Sequence, residues 1–340
     1  MLKRFDGRRG RVERRIHRST VLKGNPWGDP IEREVPVYLP AAYDDEPSRR
    51  FPVLFALAGY TGSGLGMLGW KNFSENLPER LDRLIDTGAL SPVIVVFPDG
   101  FTALGGNQYI DSPAVGSYAT YLTRELVPFV DSNYRTLADR AHRGVFGKSS
   151  GGYGALVHGL LHTDTWGAVA CHSGDLYFDV AYRPDFPLAL DELAKHDRSI
   201  ARFLESFLVF VNPATTEIHT LMVIAMAATY DPDLDDPARI RLPVDHYTGE
   251  LDLVRWQSWC RWDPIEMLAE YGDRLRRLSL LFVDCGNRDQ YRLHYGARIL
   301  HGRLDAVGIP HVYQEFDDDH SSLDYRYDVS LPLLVDALTG

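Results

Sequence analysis

The sequence predicts an α/β fold, a mostly parallel central sheet with helices on both faces and a helical insertion late in the chain. Three observations carry this prediction. Short apolar runs at residues 51–58, 92–97, 166–171 and 278–283 have the length and composition of strands covered on both faces. Stretches of helical spacing separate most of them, the alternation that βαβ units require. The rhythm then stops between about Asp175 and Met267 and resumes towards the C-terminus.

Composition bounds the possibilities. The 340 residues suffice for one large α/β domain, read here as residues 1–340, with 175–267 as an insertion or lid. Hydrophobic residues make up 45% and charged residues 24%, ordinary for a globular chain and unlike extended disorder. The net charge of −11 argues against a general nucleic-acid or anionic-membrane surface. Cys171, Cys260 and Cys285 are odd in number and far apart, which suits a reduced compartment. The N-terminus has basic residues but no apolar core behind them, so it does not read as a secretory signal. The longest apolar run, residues 221–228, is too short to span a bilayer. A soluble, cytoplasmic protein is the expectation, with no nucleic-acid or membrane partner. The basic cluster from Lys3 to Arg18 reads as a solvated face or strand edge.

In chain order, residues 11–22 and 31–39 alternate polar and apolar side chains and read as two antiparallel strands joined by a turn at 24–30. The buried strand at 51–58 runs into the loop Gly59-Tyr60-Thr61-Gly62-Ser63-Gly64. A helix is expected at 78–87, then the strand at 92–97 ending in Pro98-Asp99-Gly100. Residues 101–116 form a glycine-rich loop holding Gln108 and Tyr109. Residues 117–131 carry Tyr118, Tyr121, Leu122, Leu126 and Phe129 at helical spacing. The insertion contains helix-like segments at 188–211 and 217–228, an acidic loop at 231–236 and three tryptophans, 256, 259 and 262. After it come a strand at 278–283, a helix at 291–307, a strand at 311–316 and a final helix within 325–338.

The chain changes period abruptly at Gly147-Lys148-Ser149-Ser150-Gly151, a Gly-x-Ser-x-Gly pentapeptide. Val145 and Phe146 close a buried strand, and Tyr153, Leu156, Val157 and Leu160 mark a helix from Ser150. Ser149 sits on the turn between them. A nucleophile elbow requires this arrangement, because its tight turn leaves no room for side chains where Gly147 and Gly151 stand. The hydroxyl is then presented at a helix N-terminus, whose free N–H groups favour developing negative charge. The competing reading of the pentapeptide alone is a glycine turn in which Ser149 only caps the helix.

A serine nucleophile needs a base and a carboxylate that orients it, which in such sheets follow in the order Ser, acid, His, each after a strand's carboxyl end. His320, in the loop after the final strand, fills the place of the base. Asp284 and Asp289 both follow the 278–283 strand. Asp289 is preferred, since it lies beyond Gly286 and can turn back towards the histidine loop, while Asp284 sits at the strand end. The expected oxyanion donors are the backbone N–H groups of Ser150 and Tyr60. Gln108, Tyr109, Lys148, His172, Asp175 and Trp256 fall in or near loops at strand carboxyl ends and are candidate substrate contacts.

The combination of Pro52-Val53-Leu54-Phe55 with Gly59-Tyr60, Phe97-Pro98-Asp99-Gly100, the segment from Glu125 to Val130, Gly147 to Gly152, Cys285 to Asp289 and Asp319-His320 resembles the putative esterase family. That family includes esterase D, feruloyl and acetylxylan esterases, enterochelin-esterase-type enzymes and mycolyltransferases. The resemblance covers nearly the whole chain and implies an α/β-hydrolase fold with the triad Ser149, Asp289 and His320. Many members have His-Gly where this chain has Ala58-Gly59, and Gly-Gly-His where it has Asp318-Asp319-His320. The expected function is a serine carboxylic-ester hydrolase working through an acyl-enzyme on a small-molecule ester, without cofactor. An acyltransferase using the same triad and a non-catalytic binding protein on the same fold are the alternatives. A metal enzyme is disfavoured: Asp231, Asp233 and Asp235 lack the glycine and terminal glutamate of a calcium loop, and the run from Asp317 to His320 is better used as a base loop.

Overall fold

A computed structural model describes residues 7–209, 212–236 and 238–340. The start of the basic cluster, at Lys3 and Arg4, and the end of the 188–211 segment lie outside the described residues. Eight strands form one sheet: β1 (Arg11–Arg18), β2 (Glu32–Leu39), β3 (Val53–Leu57), β4 (Ile94–Val96), β5 (Arg143–Lys148), β6 (Ala168–His172), β7 (Leu280–Gly286) and β8 (Val312–Phe316). Their order is β1-β2-β4-β3-β5-β6-β7-β8. β2 is antiparallel to β1 and β4, and every pairing from β4 to β8 is parallel.

Alternation along the central strands divides the core into two layers. Val53, Phe55, Leu57, Val145 and Val169 face one side, where Leu156, Val157 and Leu160 of the Ser150–Leu161 helix pack. Leu54, Ala56, Phe146, Ala168 and Ala170 face the other, against Leu77, Leu81 and Leu84 of the Leu77–Asp86 helix and Leu331, Leu334 and Leu338 of the Tyr327–Thr339 helix. All five residues of β3 and all five of β6 are buried, which is why these strands read as continuous apolar runs. Each Val, Leu or Phe among them contributes roughly 1.5–3 kcal/mol by leaving water.

Local chemistry explains most boundaries. Asn76 and Glu79 form a reciprocal capping box that starts the Leu77–Asp86 helix. The basic residues of β1 line a largely exposed sheet edge and pair with acids, Arg11 with Asp44 and Arg14 with Glu34, charges that discourage strand addition. The expected 117–131 helix is a composite: α-helix at Tyr118–Thr120, a π segment at Tyr121–Leu126 and α-helix at Val127–Asn133. Pro128 has no N–H and interrupts the regular ladder there. Within the 101–116 loop region a short hairpin pairs Asp111–Ser112 with Gly116–Ser117, an element that the sequence pattern does not reveal.

Between β6 and β7 the chain forms helices at Phe178–Ala181, Phe186–Ala194, Ile200–Phe207, Thr215–Tyr230, Leu253–Cys260 and Pro264–Tyr271. Asp263 ties the ends of this segment together: its carboxylate accepts from the N–H groups of Tyr177 (3.2 Å), Phe178 (2.8 Å) and Ile265 (3.0 Å). The acidic loop is held by Arg255, which donates to Asp231 at 2.7 Å and Asp233 at 2.9 Å. Among the described residues no helix is long and apolar enough to cross a membrane.

Candidate active site

Ser149 joins β5 to the Ser150–Leu161 helix with φ 58° and ψ −127°, a conformation that an L-residue holds only when its surroundings enforce it. Packing supplies that enforcement. A Cβ on Gly147 would stand 2.6 Å from the Leu57 carbonyl oxygen, and one on Gly151 would stand 2.1 Å from the same atom. β3 and the helix can therefore close on the turn only with glycine at both positions. The Ser149 N–H is held by the His172 carbonyl at 3.0 Å.

The Ser149 side chain opens onto a cavity of about 250 Å³ that His320 also lines. No hydrogen bond joins the two among the described residues; both line this space. His320 Nδ1 lies 2.7 Å from Asp289 Oδ2. A carboxylate can only accept, so Nδ1 carries the proton and Nε2 keeps its lone pair. Asp289 is itself fixed, Oδ1 accepting from the N–H groups of Tyr291 (2.9 Å) and Leu293 (3.4 Å). The Tyr291 ring meets His320 edge-on at 5.0 Å. The two loops pass in contact because residue 286 is glycine: a Cβ there would stand 2.4 Å from the Asp318 carbonyl oxygen.

Asp284 points the other way. It is fully buried, with Oδ1 2.7 Å from His172 Nδ1 and Oδ2 accepting from Arg326 Nε at 2.8 Å. Of the two acids left open by chain order, the fold thus brings Asp289 to His320.

Gly59 abuts the elbow, its position for a Cβ lying 3.4 Å from Ser149 Cβ. The next N–H groups along are mostly used: Thr61 donates to Gly105 and Gly62 to Gly59. The Tyr60 N–H has no acceptor among the described residues, while its hydroxyl anchors the loop on the Leu104 carbonyl at 2.8 Å. Ser150 opens the helix, where the first N–H groups have no intrahelical partner. Its hydroxyl donates to Asp175 Oδ2 at 3.0 Å.

The candidate substrate contacts divide. Lys148 and Asp175 line the cavity. Lys148 donates to the His320 carbonyl at 2.9 Å, and burial lowers its pKa. Asp175 is raised by burial, and its Oδ2 also accepts from Tyr182 at 3.0 Å. Gln108 stands behind them, its Nε2 2.9 Å from Ser150 Oγ and 3.4 Å from Asp175 Oδ2. Tyr109, His172 and Trp256 do not line the cavity. Tyr109 supports the start of the Gly59–Tyr60 loop, donating to the Ala58 carbonyl at 2.7 Å. His172 is enclosed between Asp284 and Ser330. Trp256 packs on Phe186 and Trp259 and donates to Asp179. Tyr109 lies in a loop, His172 ends β6 and Trp256 sits on the Leu253–Cys260 helix, and all three side chains are buried in the core.

Other cavity walls escaped the sequence reading. Ile218, His219 and Met222 come from the Thr215–Tyr230 helix, Ala181 and Tyr182 from the stretch soon after β6, and Tyr291 and Leu293 from the segment after Asp289. The i, i+4 spacing of Ile218 and Met222 was the available signal, because it puts both on one helix face. Which face met Ser149 depended on packing. In the run from Asp317 to His320, Asp317 pairs with Arg288 and Asp318 accepts from Tyr325.

A family model described as "Putative esterase" matches residues 30–330. A Mycobacterium tuberculosis protein named as an esterase is 34% identical over 107 residues, 31% of this chain and 22% of that protein. A Xylanibacter ruminicola endo-1,4-beta-xylanase/feruloyl esterase is 29% identical over 144 residues, 42% of this chain and 19% of that protein. The chain thus spans about a fifth of the length of these two relatives. Among solved structures, a ferulic acid esterase matches with a TM-score of 0.63 at 20% identity, covering 97% of this chain and 100% of that one. An S-formylglutathione hydrolase from Agrobacterium tumefaciens matches with a TM-score of 0.58 at 16% identity, covering 99% of each chain. At these identities the structures establish a shared α/β-hydrolase fold.

Proposed function

The chain belongs to the putative esterase family, and on that premise we propose that it is a serine carboxylic-ester hydrolase working through an acyl-enzyme. Ser149 Oγ attacks the ester carbonyl while His320 Nε2 takes its proton. The oxyanion is met by the N–H groups of Tyr60 and Ser150. Collapse of the tetrahedral intermediate expels the alcohol, protonated by His320, and leaves the acyl group on Ser149. Water, deprotonated by the same imidazole, releases the acid. Asp289 keeps the imidazole in the tautomer that both steps need and stabilises its charged form. The reaction calls for no cofactor.

The observation that carries this reading is the strained serine opening onto the same cavity as a histidine backed by a fixed carboxylate. Walls formed by Ile218, Met222, Tyr182 and Tyr291 suit an apolar or aromatic group of a small ester. A panel of aryl esters of increasing acyl length, run with wild type and Ser149→Ala, tests the proposal. Wild type is expected to hydrolyse some of them and to be labelled by a fluorophosphonate, and the variant to lose both. Undiminished turnover in Ser149→Ala would defeat the mechanism.

A further inference from the structure

We infer that His301, Asp305 and His311 form a binding site for one divalent transition-metal ion, Zn²⁺ by their ligand chemistry, at the edge of the sheet away from the elbow. Two imidazoles and a carboxylate are a donor set that suits zinc, with solvent in the fourth position. Their potential ligand atoms all lie within 4.8 Å of one another.

The local sequence builds this cluster. His301 and Asp305 stand four residues apart on the Leu293–Ala306 helix and so share a face. The helix then stops on a left-handed glycine, Gly308 with φ 62°. The Gly308 N–H reaches the Asp305 carbonyl and the Ile309 N–H the Leu304 carbonyl, both at 3.0 Å, the paired bonds of a Schellman ending. Arg276 holds the same turn through the Gly308 and Val307 carbonyls. The chain is thereby folded back so that His311, just before β8, meets the helix face.

The rings are oriented as ligands. His311 Nδ1 lies 2.9 Å from the Ile309 carbonyl oxygen and must donate to it, which leaves the lone pair on Nε2. Such a backbone bond on the far nitrogen is the usual support of a metal-binding imidazole. His311 Nε2 faces His301 Nδ1 at 2.8 Å, and Asp305 Oδ1 lies 3.9 Å from His311 Nε2. Zinc–nitrogen bonds of about 2.0–2.1 Å put tetrahedral ligands roughly 3.3 Å apart, so the pair opens by about half an ångström to admit the ion. His301 then carries its proton on Nε2, 3.4 Å from Asp305 Oδ2. Tyr313 stacks on the His301 ring at 4.3 Å and 14°, limiting its rotation. The ion would pin the helix end to the start of β8, whose other end leads to His320.

The test is zinc titration of the full chain after chelator treatment, by calorimetry and thermal melting. Wild type is expected to bind one equivalent and to gain several degrees in Tm. His301→Ala, on a partly exposed helix face, and His311→Gln are each expected to weaken binding at least about tenfold and to lose the Tm gain. Asp305→Asn, at an exposed position, repeats the test should either histidine variant fail to fold. Absence of saturable binding by wild type up to millimolar zinc would overturn the inference. So would binding that survives unchanged in these variants, or that is lost in His320→Ala instead.

Discussion

Asp284 lies within β7 and Asp289 three residues beyond its end, and their surroundings give them different work. Asp289 accepts two backbone N–H groups and faces His320, whereas Asp284 is enclosed between His172 and Arg326. Asp289→Asn is therefore expected to lower kcat on the order of 10³–10⁴-fold, since an amide favours the wrong imidazole tautomer, with a small change in Tm. Asp284→Asn is expected to leave kcat per folded molecule nearly intact but to destabilise the fold by about 3 kcal/mol or more, because it leaves Arg326 and His172 without their shared carboxylate. Kinetics on active-site-titrated enzyme, run beside thermal denaturation, separates the two effects. Reversal of that pattern would move the acid role to Asp284.

Elements hold the site through their ends. The elbow depends on the close approach of β3 to Gly147 and Gly151, and the segment between β6 and β7 is tied together by Asp263, the N-cap of the Pro264–Tyr271 helix. Burial raises Asp263 from 3.8 to about 6, against the pull of three backbone N–H donors. A raised carboxyl pKa means that the unfolded chain ionises first as pH rises. The stability contributed by the protonated form is complete below the unfolded value and is lost between about pH 4 and pH 6. The loss is on the order of 2–3 kcal/mol. Asp263→Asn cannot titrate and is expected to flatten that part of the profile. Denaturant midpoints for both proteins from pH 4 to pH 7 measure the difference, and parallel profiles would show that Asp263 ionises normally.

For the molecule as a whole, the cavity belongs to two parts of the chain at once. The carboxyl ends of the sheet supply Ser149, His320 and the Gly59–Tyr60 loop, and the segment between β6 and β7 supplies Ala181, Tyr182, Ile218, His219 and Met222. Chemistry and selectivity should therefore separate under mutation. Met222→Trp, which fills space on the wall formed by the Thr215–Tyr230 helix, is expected to cut kcat/KM for long-chain aryl esters by about tenfold or more while changing acetyl esters less. Equal losses on both would place Met222 outside the acyl path.

What the sequence determined by itself is what short-range sterics and period decide. Apolar run length marks the strands, a capping box starts a helix, and two glycines around Ser149 demand a turn that no other residues allow. Chain order adds that an acid and a histidine follow the last two strands. The glycine at 286 and the family resemblance already favoured Asp289 over Asp284, but only the tertiary structure enclosed Asp284 between His172 and Arg326, turned His172, Tyr109 and Trp256 into the core, and brought Ile218, Met222 and Tyr291 to the cavity. The physical reason is one of range. Backbone preference is settled by neighbours a few residues away, whereas the direction of a side chain at a strand end is settled by contacts such as Asp284 with Arg326, 42 residues on, or Lys148 with His320, 172 residues on.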